Sequence, residues 1–197
     1  MTIKIGITGS IGMGKTTVSL MFKKNGIKVW NADLEVHKLY KNGNDGYKNI
    51  ILIYPQLKNK IGIDRKKVSY LIRQKVIDLK KIEEVIHPLL KKSRLNFIKE
   101  NEQEKVIAFE IPLLYETGAN EWLDYIISVY CSEKTQMARL TERKNFDKEK
   151  IQYLLSKQIS VKNKNQKANF LINTDKKIMD VEQEVRKIIK FLKEKND

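Results

Sequence analysis

The sequence has 197 residues, of which 41% are hydrophobic and 32% are charged, and its formal net charge is +15. This hydrophobic fraction is sufficient for a buried core and excludes a disordered chain. No apolar run approaches the roughly 18 residues of a membrane-spanning helix, and the N-terminal residues lack the apolar core of a signal peptide. The single cysteine, Cys131, excludes an internal disulfide. We therefore expect a cytoplasmic protein with no membrane partner.

The excess of basic residues leaves two classes of partner open. Lysine supplies 33 of the 39 basic residues, which are spread along the chain without an arginine-rich tract. A basic surface attracts anions, whether they are phosphorylated metabolites or nucleic acids. The distribution of the basic residues along the whole chain favours the interpretation that the charge comes from a general compositional bias together with binding of small anionic substrates. We therefore expect small-molecule partners and no specific nucleic acid.

The N-terminal segment has the pattern of a strand–helix–strand unit. Isoleucines alternate with other residues over 3–7, which predicts a strand. After a glycine-rich turn, a helix beginning at Lys15 is predicted to end at Asn25-Gly26, because glycine tolerates the left-handed conformation of a helix end. A second strand is predicted over 27–30. This order indicates a βαβ unit in a parallel sheet.

The rest of the chain alternates helical insertions with buried strands. The predicted elements are a mainly helical stretch over 34–104, strands over 106–109, 125–130 and 170–172, a helix over 133–158, a polar loop over 160–167, and a terminal amphipathic helix around Val181, Val185, Ile188, Ile189 and Leu192. In the helix 133–158, Arg139 and Arg143 would share one face. The pattern predicts an α/β fold, a parallel-sheet core with helices on both faces and two helical insertions.

A phosphate-binding motif joins the first strand to the first helix, because residues 9–16 match G-x-x-x-x-G-K-[ST] at every fixed position. The glycines let backbone N–H groups point at phosphate oxygens, and the helix N-terminus adds its positive dipole end. Lys15 can reach the β- and γ-phosphates, and the Thr16 hydroxyl can bind Mg²⁺. The alternative is an ordinary strand-to-helix turn, but the flanking elements favour a nucleoside triphosphate site. Its predicted binding residues are Ile11, Gly12, Met13, Gly14, Lys15, Thr16 and Thr17.

The sequence also narrows the class of phosphate-loop protein. A GTPase needs an N-K-x-D motif, and the nearest string, residues 163–166, lacks the aspartate. The short chain with helical insertions favours a small-molecule kinase. A kinase that acts on a nucleotide or a sugar and a nucleic-acid-binding regulator stay as alternatives.

Further motifs follow the phosphate loop in order. They are Asn31-Ala32-Asp33, Gly62-Ile63-Asp64-Arg65, Ile86-His87-Pro88-Leu89, Glu110-Ile111-Pro112-Leu113-Leu114-Tyr115-Glu116, Gln136-Met137-Ala138-Arg139 with Arg143, Gln158 and Lys164, and Ala168-Asn169-Phe170-Leu171-Ile172. With the phosphate loop, this ordered set resembles the dephospho-coenzyme A kinase family. The loop alone is shared with many families, whereas the set with His-Pro and Pro-Leu-Leu is specific.

The resemblance implies transfer of the γ-phosphoryl group of ATP to the ribose 3′-hydroxyl of dephospho-coenzyme A, the last step of coenzyme A synthesis. It also implies Mg²⁺ dependence and a cytoplasmic enzyme. In the implied fold, residues 1–33, 105–133 and 168–197 form the nucleotide-binding core, 34–104 form the helical acceptor-substrate domain, and 134–167 form the helical lid.

Two carboxylates are candidates for the chemistry. Asp33 follows the second strand, where α/β sheets bind ligands, and the resemblance implies that it accepts the proton of the sugar hydroxyl. The alternative for Asp33 is the N-cap of a helix that begins at Leu34. Glu110 ends a buried strand, and the resemblance implies that it holds Mg²⁺ or a water bound to it. Its alternative is a strand-end side chain turned to solvent.

Four basic residues are candidates for substrate contact. The resemblance implies that Arg139 and Arg143 close over the ATP phosphates and neutralise charge in the transition state, with Lys15; the alternative for both is a solvated helix face. It also implies that Arg65 and His87 contact dephospho-coenzyme A, although Arg65 can instead pair with its neighbour Asp64. Proline disfavours helix at the preceding residue, so His87-Pro88 predicts a helix break with His87 in the cleft or at a structural boundary.

The sequence departs from the family pattern at five positions. Asn31 and Glu110 stand where the family usually has aspartate, and His37 stands where it commonly has arginine. The longer Glu110 side chain predicts a longer or water-mediated reach to Mg²⁺. Asn169 and Thr174 stand where aspartate and asparagine are usual, and no ligand contact is carried over to either.

Overall fold

The computed structural model describes residues 1–143 and 148–195. The β-strands are β1 (Ile3–Thr8), β2 (Lys28–Asn31), β3 (Val106–Glu110), β4 (Tyr125–Tyr130) and β5 (Phe170–Asn173). The α-helices are α1 (Lys15–Lys24), α2 (Ala32–Leu39), α3 (Asp45–Ile53), α4 (Arg65–Arg73), α5 (Leu79–Glu100), α6 (Glu133–Thr141), α7 (Lys148–Ser156), α8 (Val161–Lys167) and α9 (Ile178–Glu194). Short 3-10 helices cover Pro55–Leu57 and Ala119–Trp122. The five predicted strands are confirmed, each end within one residue.

The chain divides into two compact units, and the first contains the sheet. The first unit comprises residues 1–30 and the described residues from 101 onward, and the second comprises residues 31–100. The strands of the sheet have the order β2-β3-β1-β4-β5. The pairings of β1 with β3, of β1 with β4 and of β4 with β5 are parallel. The carboxyl ends of these parallel strands therefore lie at one edge of the sheet, where α/β proteins bind ligands.

Helices cover both faces of the sheet. Successive side chains of a strand point to opposite faces, and Ile127 and Val129 of β4 pack in the hydrophobic cluster that includes residues of α1 and α9. Ser128 lies between them and faces the other way, where its hydroxyl donates a hydrogen bond to Asn165 Oδ1 of α8 at 2.8 Å. The predicted α/β fold, with helices on both faces of the sheet, is confirmed.

The C-terminal helix α9 supplies one side of this core. Its buried residues are the predicted set, Val181, Val185, Ile188, Ile189 and Leu192. They pack in one cluster with Val18, Met21 and Phe22 of α1. Full burial of each such aliphatic or aromatic side chain stabilises the fold by about 1.5–3 kcal/mol. The apolar spacing of α9 therefore determines which of its faces packs against the rest of the unit.

The second unit is helical and has its own core. Its buried residues are Tyr47, Ile50, Leu57, Ile63, Val68, Ile77, Ile82 and Ile86. The predicted helix break before Pro88 is wrong, because Pro88 lies inside the continuous helix α5. Proline removes one main-chain hydrogen bond and crowds the preceding turn, but Ile82 and Ile86 bury the same helix in the core of the unit.

Helix α5 has 22 residues, a length typical of a membrane span. Charged residues such as Lys81, Glu84 and Lys91 interrupt its apolar positions along the whole length. Within residues 1–143 and 148–195, no helix is both long and apolar enough to cross a membrane.

The segment between β4 and β5 differs from the prediction in two places. The predicted single helix 133–158 is wrong, because α6 ends at Thr141 and α7 begins at Lys148. The hydroxyl of Thr141 donates to the carbonyl oxygens of Met137 and Ala138, a local bond that competes with helix continuation. The predicted polar loop 160–167 is also wrong and contains α8, whose N-terminus is capped by Ser160.

Candidate active site

The phosphate loop lies between β1 and α1 at the carboxyl edge of the sheet. Two of its residues require a left-handed backbone, which glycine adopts without steric cost: Gly12 has a φ of 82° and Gly14 a φ of 88°. Gly14 is also the N-cap of α1. Successive backbone N–H groups and the positive end of α1 therefore converge on the concave side of one short loop, an arrangement suited to phosphate.

Lys15 brings a positive charge to this loop. Its Nζ donates hydrogen bonds to the carbonyl oxygens of Gly9 at 2.7 Å and Ser10 at 3.2 Å. These contacts hold the ammonium group beside the loop, although Lys15 is the first residue of α1. The loop thus combines backbone donors with a fixed cation, as anion binding requires.

Thr16 and Glu110 form an oxygen pair next to the loop. The Thr16 hydroxyl donates to Glu110 Oε1 at 3.0 Å. Glu110 is only 5% exposed, so the alternative of a solvent-facing strand end is wrong. The pairing follows from the topology, because parallel β1 and β3 place their carboxyl ends side by side. Hydroxyl and carboxylate oxygens are ligands that Mg²⁺ prefers.

Arg139 of α6 contacts the phosphate loop through Thr174. Its Nη1 donates to Thr174 Oγ1 at 2.9 Å, and its Nη2 donates to the Thr174 carbonyl oxygen at 2.9 Å. The Thr174 hydroxyl in turn donates to the Met13 carbonyl oxygen at 2.9 Å. A second contact joins Arg139 Nη1 to the Gly12 carbonyl oxygen at 3.4 Å. The guanidinium group is therefore held against the loop, and the alternative that Arg139 lies on a solvated helix face is wrong.

Arg143 does not share a helix face with Arg139. The C-cap of α6 is Glu142, so Arg143 lies beyond the end of the helix. The predicted alignment of the two arginines is therefore wrong, and the early end of α6 at Thr141 is its cause.

The other predicted site residues belong to the second unit. Asp33 is an exposed residue in the first turn of α2, and the N-cap of that helix is Asn31, whose side chain accepts a hydrogen bond from Leu34 N at 2.9 Å. The alternative that Asp33 caps a helix is therefore wrong. Arg65 is exposed at the start of α4, with Nη1 at 3.5 Å from His37 Nδ1. His87 is exposed within α5.

Comparisons with known proteins cover almost the whole chain. The family model for dephospho-CoA kinase matches residues 3–180. The chain belongs to the dephospho-CoA kinase family. Among curated relatives, the dephospho-CoA kinase of Ruegeria pomeroyi is 32% identical over 175 residues, which are 89% of this chain and 88% of the relative.

Solved structures share the fold of this dephospho-CoA kinase family member. A crystal structure from Thermus thermophilus has a TM-score of 0.82 at 23% identity, and the match covers 97% of this chain and 98% of that chain. Dephospho-CoA kinase from Campylobacter jejuni has a TM-score of 0.65 at 23% identity, with 97% of each chain covered. The match extends over the second unit as well as over the sheet.

Several polar residues around the loop of this dephospho-CoA kinase family member received no role from the sequence. Gln136 Nε2 donates to the Ile11 carbonyl oxygen at 2.6 Å, and Gln158 Oε1 accepts from Ile11 N at 3.1 Å. Thr174, described above, is the third such residue. The presence of Gln136 and Gln158 in the ordered motifs was the only sequence signal that could have pointed to a role for them. Only the tertiary structure shows that both bind Ile11.

A buried ion pair supports the segment that follows Glu110. Lys164 is 0% exposed, and its Nζ lies 3.1 Å from Glu116 Oε1 and 3.0 Å from the Pro112 carbonyl oxygen. Glu116 Oε1 also accepts from Ile159 N at 2.9 Å. Burial lowers the pKa of the Lys164 ammonium, and the hydrogen bond and charge of Glu116 oppose this shift. The pair ties the segment after β3 to the beginning of α8.

Proposed function

We propose that this protein is an ATP-dependent kinase that transfers the γ-phosphoryl group to the ribose 3′-hydroxyl of dephospho-coenzyme A and so forms coenzyme A. Membership of the dephospho-CoA kinase family carries the proposal. The geometry of the loop supports it, because Lys15 and the Thr16–Glu110 pair meet at one edge of the sheet. Phosphoryl transfer depends mainly on positioning and charge neutralisation, and such a rigid polar site can supply both.

ATP binds with its phosphates in the loop. The proposed contacts are Ile11, Gly12, Met13, Gly14, Lys15, Thr16 and Thr17. Lys15 neutralises the β- and γ-phosphates, and Arg139, fixed by Thr174, neutralises the charge that develops as the γ-phosphoryl group moves. Arg143 approaches the same phosphates in the proposed lid, residues 134–167.

Thr16 and Glu110 are the residues that would hold Mg²⁺. The fit rests on their donor atoms, an uncharged hydroxyl and a 5% exposed carboxylate at hydrogen-bond distance. Within the described residues, no group of three or more His, Cys, Asp and Glu side chains is placed to hold a metal. A protein contribution of one or two ligands is typical of Mg²⁺ that binds with a nucleotide. An Mg²⁺ ion held by these two side chains would supply positive charge that neutralises the phosphates of ATP.

The acceptor binds to the helical residues 34–104 in this proposal. Asp33, at the start of α2, accepts the proton of the ribose 3′-hydroxyl as that oxygen attacks the γ-phosphorus. Arg65 and His87 contribute to binding of the anionic dephospho-coenzyme A, and Arg65 has the shape for bidentate contact with phosphate. The buried free thiol of Cys131 supports a cytoplasmic enzyme, and its proposed partners are the two small-molecule substrates, with no specific nucleic acid.

A coupled assay of ADP release tests this function. The protein is incubated with ATP and Mg²⁺, with and without dephospho-coenzyme A, and the product is identified by mass. We expect ADP release that requires the acceptor and a product with the mass of coenzyme A. The Lys15→Ala variant, purified in parallel, controls for contaminating kinases. Acceptor-independent ADP release, or turnover only with nucleotides or sugars, would contradict the proposal.

A further inference from the structure

Both backbone groups of one phosphate-loop residue are held by glutamine side chains. Ile11 N donates to Gln158 Oε1 at 3.1 Å, and the Ile11 carbonyl oxygen accepts from Gln136 Nε2 at 2.6 Å. Gln136 lies on α6, and Gln158 lies between α7 and α8. Two separate parts of the segment between β4 and β5 therefore bind the two peptide groups that flank the Cα atom of Ile11.

The neighbouring loop residue depends on the same helix. Gly12 has a positive φ, and a Cβ atom at this position would lie 3.2 Å from Gln136 Cγ and 3.0 Å from Leu140 Cγ. Helix α6 therefore packs closely on the loop backbone at Gly12, where a Cβ atom would press against two of its side chains. Gln136 is 6% exposed, so its amide makes its hydrogen bond in a site with little access to water. Such a bond is costly to break because the partner is left unsatisfied.

We propose that Gln136 and Gln158 are positioning residues that hold the phosphate loop in its ATP-binding shape. The inference rests on the proposed function for the identity of the nucleotide. Glycines give the loop access to alternative conformations, and the two hydrogen bonds to Ile11 restrict these conformations before ATP binds. Such preorganisation raises affinity because less conformational entropy is lost on binding.

The two hydrogen bonds have opposite directions, which allows a discriminating test. Gln158 accepts from Ile11, so glutamate at position 158 keeps an acceptor oxygen. Gln136 donates to Ile11, so glutamate at position 136 removes the donor and places two oxygens against each other. Methionine has a similar shape and removes the strong donor and acceptor at either position. Gln166 is exposed on α8 and provides a matched control.

The experiment compares wild type with Gln136→Met, Gln158→Met, Gln158→Glu and Gln166→Met. ATP dissociation constants are measured by calorimetry, and hydrogen exchange of the Ile11 amide is followed by NMR of ¹⁵N-labelled protein without nucleotide. We expect about tenfold weaker ATP binding in Gln136→Met and Gln158→Met, which is the effect of one lost hydrogen bond, and no change in Gln166→Met. The Ile11 amide should exchange about tenfold faster in Gln158→Met but as in wild type in Gln158→Glu.

Unchanged ATP affinity in the two methionine variants, or an Ile11 amide that exchanges equally in all variants, would overturn the inference. Tighter ATP binding by Gln158→Met would also overturn it, because Gln158 would then compete with the nucleotide. If the buried Gln136→Met variant does not fold, the Gln158 variants decide alone. ATP affinity is measured without acceptor and therefore does not depend on the acceptor's identity. If the wild-type protein did not phosphorylate dephospho-coenzyme A but the methionine variants still bound ATP more weakly, the proposed function would be contradicted and this inference would stand.

Discussion

The guanidinium group of Arg139 and the Thr174 hydroxyl form a hydrogen bond of 2.9 Å, and the same hydroxyl donates to Met13 in the phosphate loop. The Thr174 hydroxyl thus connects α6 to the loop, because its oxygen accepts a hydrogen bond from Arg139 and its proton is donated to the Met13 carbonyl oxygen. This connection fixes the direction of a long cationic side chain that would otherwise sample many rotamers.

Replacing Arg139 with alanine should lower kcat about a hundredfold at saturating ATP, because the role proposed for Arg139 is to donate to the transferring γ-phosphoryl group. Steady-state kinetics with both substrates saturating measures this effect. Arg143→Ala is the matched control and should have a smaller effect, since Arg143 lies beyond α6. An Arg139→Ala enzyme with the kcat of wild type would remove Arg139 from the chemistry.

The contribution of the Thr174 hydroxyl group can be tested separately from the contribution of the shape of the threonine side chain. Thr174→Val keeps the volume and removes the hydroxyl, so kcat should fall about tenfold as Arg139 loses one of the hydrogen bonds that orient its guanidinium group. Thr174→Ser keeps the hydroxyl and should restore most of the rate. In the Arg139→Ala background, Thr174→Val should have little further effect on kcat. Full additivity of the two substitutions would instead show that Thr174 acts independently of Arg139.

Asp33 is expected to act on the acceptor and not on ATP. The Asp33→Asn variant should lose at least about a hundredfold in kcat, because the amide cannot accept the hydroxyl proton. Its ATP dissociation constant, measured by calorimetry, should stay close to that of wild type. Asp45→Asn, another exposed acid in the first turn of a helix, is the control. Retention of most of the rate by Asp33→Asn would exclude proton transfer to this carboxylate.

Stability should depend on the buried pair of Lys164 and Glu116. Glu116→Gln leaves a buried ammonium without its counter-charge, and unfolding free energy should fall by about 3 kcal/mol. The double variant Lys164→Met/Glu116→Leu should be more stable than Glu116→Gln, because no buried charge is left unpaired. Urea unfolding measures these differences, and Lys162→Met, at an exposed position of α8, serves as control. Equal stability of Glu116→Gln and wild type would contradict the prediction.

Asp175 should make stability sensitive to acid. Its carboxylate accepts hydrogen bonds from Ser132 N at 2.7 Å and Ser132 Oγ at 3.1 Å, next to the N-terminus of α6. Hydrogen bonds, chiefly from Thr135, hold the pKa of Asp175 below its ordinary value of 3.8. The unfolded chain therefore binds more protons below that value, and this contribution to stability is present above pH 3.8 and is lost as pH falls through the lowered pKa.

Urea unfolding of wild type and Asp175→Asn from about pH 2 to about pH 7 tests this pH dependence. Wild type should be the more stable protein near neutral pH, and the difference should vanish at the acid end. A difference that is constant over this range would show that the carboxylate charge is not involved.

The sheet and α9 were predictable from the sequence because burial leaves a local pattern. Strand β3 is apolar up to its last residue, Glu110, β4 is apolar except for Ser128, and α9 repeats its apolar residues with a helical period. The loop motif likewise located Lys15 and Thr16, since phosphate binding by backbone donors requires glycines at fixed spacing. The order of these elements was sufficient for the α/β fold.

The remaining features depend on tertiary contacts that local patterns do not encode. A lysine- and asparagine-rich segment forms α8, whose Lys164 is buried and pairs with Glu116, a residue that lies far away in the sequence. Pro88 is tolerated in α5 because neighbouring residues bury the helix. Thr174, Gln136 and Gln158 contact the phosphate loop, from which they are far away in the sequence, only in the folded chain.

The complete burial of Lys164 has a consequence for chemical labelling. An acylating reagent modifies accessible lysines, of which this chain has many, but it cannot reach Nζ of Lys164 while α8 is packed. Lys164 is therefore an internal reporter of opening: the rate of its acylation, followed by mass spectrometry of one peptide, measures how often this segment detaches from the sheet. Enzymatic acetylation at this lysine would require the same opening.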